Sequence, residues 1–198
     1  VIDRIVGFIV RISGRERSTG VKVLAVAIGG TVFLAVLPGL GLFLGDLLSR
    51  ALLIPCARWL EIVLGAVSLV AGGFWLAWAF VTQWQIGRGT PAPFAAPQRL
   101  IVRGPYRLCR NPIELGALLY YFGLGVALVN LTAGLFVLAV FWILGSAYHK
   151  FIEERELLIR FGPDYEAYRR RTPFLLPRPW PRGPARPGND PDRDSTRS

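Results

Sequence analysis

The chain has 198 residues, a formal charge of +10, 53% apolar residues and 18% charged ones, against about 25% charged in the average soluble protein. Its charges fall in the gaps between long apolar runs, the pattern of membrane segments with basic flanks and not of a nucleic-acid surface. Two cysteines in different connectors, Cys56 and Cys109, and a lone His149 offer neither a disulfide framework nor a metal cluster, and no zinc-finger spacing occurs.

Residues 1–20 are basic and partly amphipathic. Ile2, Ile5, Val6 and Ile9 share one face of a helix, with Asp3, Arg4 and Arg11 elsewhere, which suits a helix resting on the bilayer surface; a disordered lead-in is the competing reading. The first span runs from residue 21 to about residue 48. It carries no small-residue cleavage pattern and reads as a membrane helix, not a signal peptide. Pro38 should kink it or end its regular part, and Gly29, Gly30, Gly39, Gly41 and Gly45 permit close helix approach. A short connector, residues 46–58, leads to a second span near 59–81, with Trp59, Trp78 and Trp84 in aromatic-belt positions. Glu61 in its first turn favours the helix dipole and reads as structural.

A long loop, residues 82–111, begins with the Gly- and Pro-rich stretch Gly87–Pro93, which is incompatible with regular helix. Spans near 112–129 and 131–148 follow, separated only by Asn130, so they must form an antiparallel hairpin. Lys and Arg counts of five, two, five, none and eleven alternate along the successive segments. They predict four spans with both termini and the long loop in the cytosol; the expected location is a bacterial inner membrane. After the fourth span, Phe151–Phe161 should form a helix stopped by Gly162, followed by a short helix to Arg171. Residues 177–198, rich in Pro, Arg, Asp and Gly, read as a disordered tail. The predicted fold is all-α and integral to the membrane: a bundle of about four transmembrane helices, residues 21–176, with C-terminal helices on the cytosolic side.

The stretch Arg103–Gly116 packs three arginines, two prolines, an Asn and a Glu between two apolar segments. Asn111, Pro112 and Glu114 have the spacing of a helix N-cap, first residue and capping-box carboxylate. The hairpin returns the chain to the same side, which should bring Arg110–Glu114 close to Tyr148, His149, Glu153 and Glu154. His149 and Glu153 are four apart and share a helix face, as do Lys150 and Glu154.

Arg103-Gly104-Pro105-Tyr106-Arg107, Arg110-Asn111-Pro112, Gly116, Glu153-Glu154 and Phe161-Gly162-Pro163-Asp164-Tyr165-Glu166-Ala167-Tyr168, in that order, resemble the isoprenylcysteine carboxyl methyltransferase family, itself related to the membrane phospholipid N-methyltransferases. The similarity covers roughly residues 59–177. It implies an integral membrane enzyme that takes a methyl group from S-adenosylmethionine and passes it to a lipophilic acceptor entering from the bilayer, with membrane lipids as its surroundings and neither nucleic acid nor metal as a partner. By position it implies that Arg110, Asn111 and Pro112 border the cofactor and reaction centre. His149, Glu153 and Glu154 would bind the amino acid and ribose parts of the cofactor, with Tyr165 and Tyr168 closing the pocket. Arg110 is the candidate to orient the acceptor.

Four positions depart from the family pattern. Asn111 and Gln98 replace histidines, Glu114 replaces a tyrosine, and Phe174 replaces an arginine. Glu114 is therefore either a catalytic group suited to a cationic or amine acceptor or a helix cap. The acceptor class stays open between a carboxylate such as isoprenylcysteine and a phospholipid or small amine. An NADPH-dependent membrane reductase and a noncatalytic multispan scaffold are the competing functions.

Overall fold

The computed structural model describes residues 2–13, 18–87, 90 and 96–178. The tail from 179 onward, and most of the Gly- and Pro-rich start of the long loop, lie outside the described residues. The described chain is helical without strands: α1 (Ile2–Ser13), α2 (Thr19–Thr31), α3 (Leu37–Ala51), α4 (Arg58–Gln85), α5 (Pro112–Leu128), α6 (Leu131–Tyr148) and α7 (Glu154–Arg171).

Thr19–Ala51, Arg58–Gln85 and the helix that starts at Leu131 are long and apolar enough to cross a membrane, and Pro112–Leu128 is a shorter apolar helix. Its 17 residues reach about 26 Å at 1.5 Å per residue, slightly less than a hydrocarbon core of about 30 Å. The protein is an all-α integral membrane protein. Its surface inverts the soluble pattern. On α4 the buried residues are Glu61, Gly65, Ser68, Gly72, Ala79 and Thr82, while Val67, Val70 and Phe74 are exposed. Small residues at three- and four-residue spacing line the contact between helices, and large apolar ones face the lipid.

α5 packs along α4 and against α6, and α3 leans on α6. The closeness of α4 and α5 depends on glycine: a Cβ on Gly72 would lie 2.5 Å from the Tyr120 backbone N, and one on Gly123 would lie 2.9 Å from the Gly65 carbonyl. Of the first-span glycines, Gly41 and Gly45 meet α6 at Val137, Phe141 and Ala133, whereas Gly29, Gly30 and Gly39 face open space. The span does not break at Pro38. A π-helical turn, Val32–Val36, links α2 to α3, with Leu37 N–H donating to the Val32 carbonyl. In that wider register the Phe33 carbonyl would face the nitrogen of Pro38, which has no hydrogen. The buried Tyr121 hydroxyl of α5 donates to it instead, at 2.5 Å.

One end of the bundle gathers the α3–α4 connector and the α5–α6 turn. Asn130 Oδ1 accepts from Ala133 N–H at 2.9 Å and caps α6. Glu61 does more than favour a dipole: its Oε1 accepts the Leu131 N–H at 2.8 Å, while Arg58 pairs with its other oxygen at 3.2 Å and donates to the Ala127 carbonyl at 2.7 Å. Thr132 Oγ1 accepts from Ile54 N–H. The opposite end gathers α1, the 96–111 loop and residues 149–178. There α1 is helical, with Val6 and Ile9 buried against α7 and the turn that precedes it. The chain does turn at Gly162, whose φ of +49° and ψ of −126° break α7 into two helical pieces. That conformation suits glycine because it has no Cβ to clash.

Candidate functional site

The loop that reaches α5 is held at several points. Tyr106 lies in a 3-10 turn, Gly104–Arg107, and its carbonyl accepts from the Tyr168 hydroxyl at 2.6 Å. Gly104 has φ +59°, and a Cβ there would come 2.9 Å from Thr82 Oγ1. Glu156 and Arg160, a buried pair at 2.9 Å, anchor the loop's first part, because Arg160 also donates to the Pro97 carbonyl.

The segment after α7 then folds back along Leu108–Asn111. Arg110 N–H donates to the Pro173 carbonyl at 2.9 Å, Asn111 N–H to the Phe174 carbonyl at 3.2 Å, and Arg178 N–H to the Leu108 carbonyl at 2.9 Å. The Asn111 side chain joins this strap through Nδ2, which donates to the Phe174 carbonyl at 3.0 Å. The N-cap expectation for Asn111 is therefore corrected: its side chain makes no cap to α5, because the strap offers a carbonyl on the other side. Pro112 takes the first helical position and is buried, adding apolar wall and no polar contact. Phe174 places its ring 5.7 Å from the Arg110 guanidinium, a cation–π contact that helps fix the arginine.

Arg110 and Glu154 meet, as the hairpin geometry predicts. Arg110 Nη1 lies 2.7 Å from Glu154 Oε1, with both side chains largely buried, and Arg169 Nη1 lies 3.5 Å from the other oxygen. Buried Tyr165 stands beside Arg110 and Glu154, with its ring centroid 6.2 Å from that of Tyr168. The Arg110–Glu154 contact satisfies distance but not N–H direction, and both Nε and Nη1 of Arg110 are buried without a hydrogen-bond partner.

Glu114 does not close a capping box. The Asn111 amide it would have reached is taken by Phe174. The carboxylate points across to α6, where Oε1 accepts from Ser146 Oγ at 3.1 Å and Oε2 lies 3.4 Å from His149 Nε2. Gly145 makes the room, since a Cβ there would sit 2.8 Å from Glu114 Oε1. His149 and Glu153 do pair, His149 Nδ1 with Glu153 Oε2, although residues 149–153 form a π-helical turn and not the α-turn the four-residue spacing suggested.

Three groups that the sequence left without a role join the site. The Tyr106 hydroxyl lies against Gln83 and near Glu153; burial first, and then the Glu153 charge, hold its pKa well above the ordinary value, so it remains a hydroxyl donor. Thr172 opens the strap. The buried side-chain atoms without hydrogen-bond partners among the described residues are Gln83 Oε1, Tyr106 OH, Arg110 Nε and Nη1, Glu114 Oε2 and Thr172 Oγ1. All six belong to this one end of the bundle. Folded proteins leave few such atoms, and three of the six still have a polar neighbour: Glu154 beside Arg110 Nη1, His149 beside Glu114 Oε2 and Gln83 beside the Tyr106 hydroxyl. Cys109, fully buried nearby, is a poor nucleophile: burial pushes its thiol up to about 11. Among the described residues no group of three or more His, Cys, Asp or Glu has metal-holding geometry.

The model of the phospholipid methyltransferase family matches residues 60–164, more than half of the chain. A curated relative, methanethiol S-methyltransferase 2 of Bradyrhizobium diazoefficiens, is 35% identical over 129 residues, covering 57% of this chain and 47% of the relative. Two metal-resistance proteins match over 79 residues, 40% of this chain and 36% of each relative. They are the nickel-cobalt-cadmium resistance protein NccN of Alcaligenes xylosoxydans xylosoxydans, at 32% identity, and the cobalt-zinc-cadmium resistance protein CzcN of Cupriavidus metallidurans, at 35%. The chain thus spans about half or less of the length of these relatives. No solved structure matches.

Proposed function

The chain belongs to the phospholipid methyltransferase family, and from that premise we propose that it transfers a methyl group from S-adenosylmethionine to a lipophilic acceptor at the membrane surface, on the cytosolic side of a bacterial inner membrane, with both termini facing the cytosol. The observation that carries this reading is the set of buried polar atoms with unmet hydrogen-bonding capacity around Arg110, Tyr106 and Thr172. A cofactor with an amino acid, a ribose and a base presents donors and acceptors of the kinds they lack, so the residues present fit the group.

Arg110, with Nη1 2.7 Å from Glu154, keeps a buried Nε without a hydrogen bond and can donate to a carboxylate, and Glu154 is the carboxylate to which an ammonium or ribose hydroxyls would donate. Tyr106, Gln83 and Thr172 offer further polar contacts, Tyr165 and Tyr168 close the inner wall, and Asn111 and Pro112 form the rim where α5 begins. S-adenosylmethionine, when bound, presents its methyl as an electrophile and keeps the electron pair of the broken carbon–sulfur bond as a thioether. The remaining work falls to the chain: alignment of the acceptor with that methyl and exclusion of water. Arg110 stands at the boundary between the polar pocket and the start of α5, where it can orient an acceptor that enters from the lipid.

Calorimetry on the detergent-purified protein with S-adenosylmethionine, S-adenosylhomocysteine and NADPH tests the reading. Affinity for the two sulfur compounds and none for NADPH is expected. Affinity for NADPH alone points to a reductase, and affinity for none of the three to a scaffold. Incubation with methyl-labelled cofactor and a membrane lipid extract then identifies the acceptor.

A further inference from the structure

Glu114, His149 and Glu153 form a continuous chain. Glu114 Oε2 faces His149 Nε2 at 3.4 Å, and His149 Nδ1 pairs with Glu153 Oε2. The two carboxylates thus address opposite nitrogens of the one imidazole. Side-chain exposure rises along the line, from 5% at Glu114 through 19% at His149 to 35% at Glu153. The two oxygens of the inner carboxylate differ. Ser146 Oγ donates to Oε1, for which Gly145 leaves space, whereas Oε2 is buried without a hydrogen bond.

We propose that these three residues conduct a proton from the reacting atom of the acceptor to solvent, and that the acceptor is a thiol or an amine which arrives with that proton in place. The inference rests on the methyltransferase reading and names its acceptor chemistry. As the acceptor's lone pair forms the new bond to carbon, its proton passes to Glu114 Oε2. Glu114 returns it to His149 Nε2 while His149 gives its Nδ1 proton to Glu153, which exchanges with water. An ionised carboxylate acceptor has no proton to lose and needs none of this machinery. A cofactor-binding role for His149 and Glu153 does not account for the connection inward to Glu114.

The charged groups around the imidazole are Glu114 from α5, Glu153 and Glu154 from its own segment, and the neighbouring Tyr148, whose ring packs edge-on at 5.6 Å. α1, packed on the same segment, turns Arg4 and Arg11 to the exterior.

The test uses the full chain in detergent, labelled S-adenosylmethionine, and four acceptors with eight-carbon alkyl tails: octanethiol, octylamine, nonanoate, and 4-octylthiophenol, an aryl thiol already ionised in mildly alkaline buffer. Wild type should methylate octanethiol or octylamine in preference to nonanoate, and the preferred one fixes the acceptor atom. Glu114→Gln should lower kcat on the protonated acceptor by about 100-fold, with a much smaller loss on the aryl thiolate and S-adenosylhomocysteine affinity by calorimetry within about twofold. Glu153→Gln, at the outer end where folding is least at risk, should show the same selectivity at about 10-fold. Equal losses on both thiols, weakened cofactor affinity that accounts for the rate, or preference for nonanoate would each overturn the proton path while leaving the methyltransferase standing. Absence of S-adenosylhomocysteine binding in wild type would remove both.

Discussion

The two ends of the bundle are built from the same side chains and reach opposite results. At the Asn130 end, Glu61 and Arg58 meet and bond to helix termini: Glu61 to the Leu131 N–H and Arg58 to the Ala127 carbonyl. At the His149 end, Arg110 meets Glu154 at a shorter distance, yet the contact is misaligned, and neither Nε nor Nη1 of the arginine completes a hydrogen bond. A carboxylate–guanidinium pair at a helix end is thus no signature of function by itself. What separates the two pairs is whether the buried polar atoms at that end all find hydrogen bonds inside the protein.

Substitutions at the two ends should separate binding from stability. Glu154→Gln should weaken S-adenosylmethionine binding by about 100-fold, the scale of a lost charged hydrogen bond, with the melting temperature nearly unchanged, as calorimetry and a thermal melt would register. Arg110→Lys should lower methyl transfer by a comparable factor and cofactor affinity less, since an ammonium cannot reproduce the planar fork. At the opposite end, Glu61→Ala should leave cofactor affinity intact and cost about 2 kcal/mol of stability, because it strands the Leu131 N–H. Equal effects of Glu61→Ala and Glu154→Gln on binding would erase the distinction between the ends. Gly145→Ala should reduce activity by about 10-fold by displacing Glu114, whereas Gly29→Ala, facing open space, should be silent. The smallest effect is chemical: a maleimide should label half-buried Cys56 and spare Cys109, whose thiol is both sealed and protonated, as mass spectrometry would report.

Much of this was readable from the chain. Apolar run lengths located the helices, Asn130 located the hairpin, and the hairpin alone brought Arg110 to Glu154. Gly162 marked a real turn. The direction of Glu114 was not readable. A glutamate in the first turn of a helix can reach back to its own cap or outward to a neighbour, and local spacing favours the cap. The outcome was decided by Phe174, which occupies the cap amide, and by Gly145, which opens a space on α6. Both lie far along the chain and act only after packing. The strap from Thr172 to Arg178 was hidden for a similar reason: its bonds are backbone carbonyls, which carry no residue signature. Tyr106 stood within a quoted motif, but its role depends on Gln83 and Glu153, and Gln83 carries no local signal at all.

Tyr121 belongs to the region shared with the methyltransferase family, yet its hydroxyl completes the backbone of a span that lies outside that region. A chain trimmed to the shared part would carry a phenol deep in the bilayer with its acceptor deleted, and Ala133, Val137 and Phe141 would lose their cover to lipid tails. The leading span is thus a prosthesis for the hairpin as much as an anchor. Shortened versions that begin after it should express poorly for a reason that has nothing to do with chemistry at the other end.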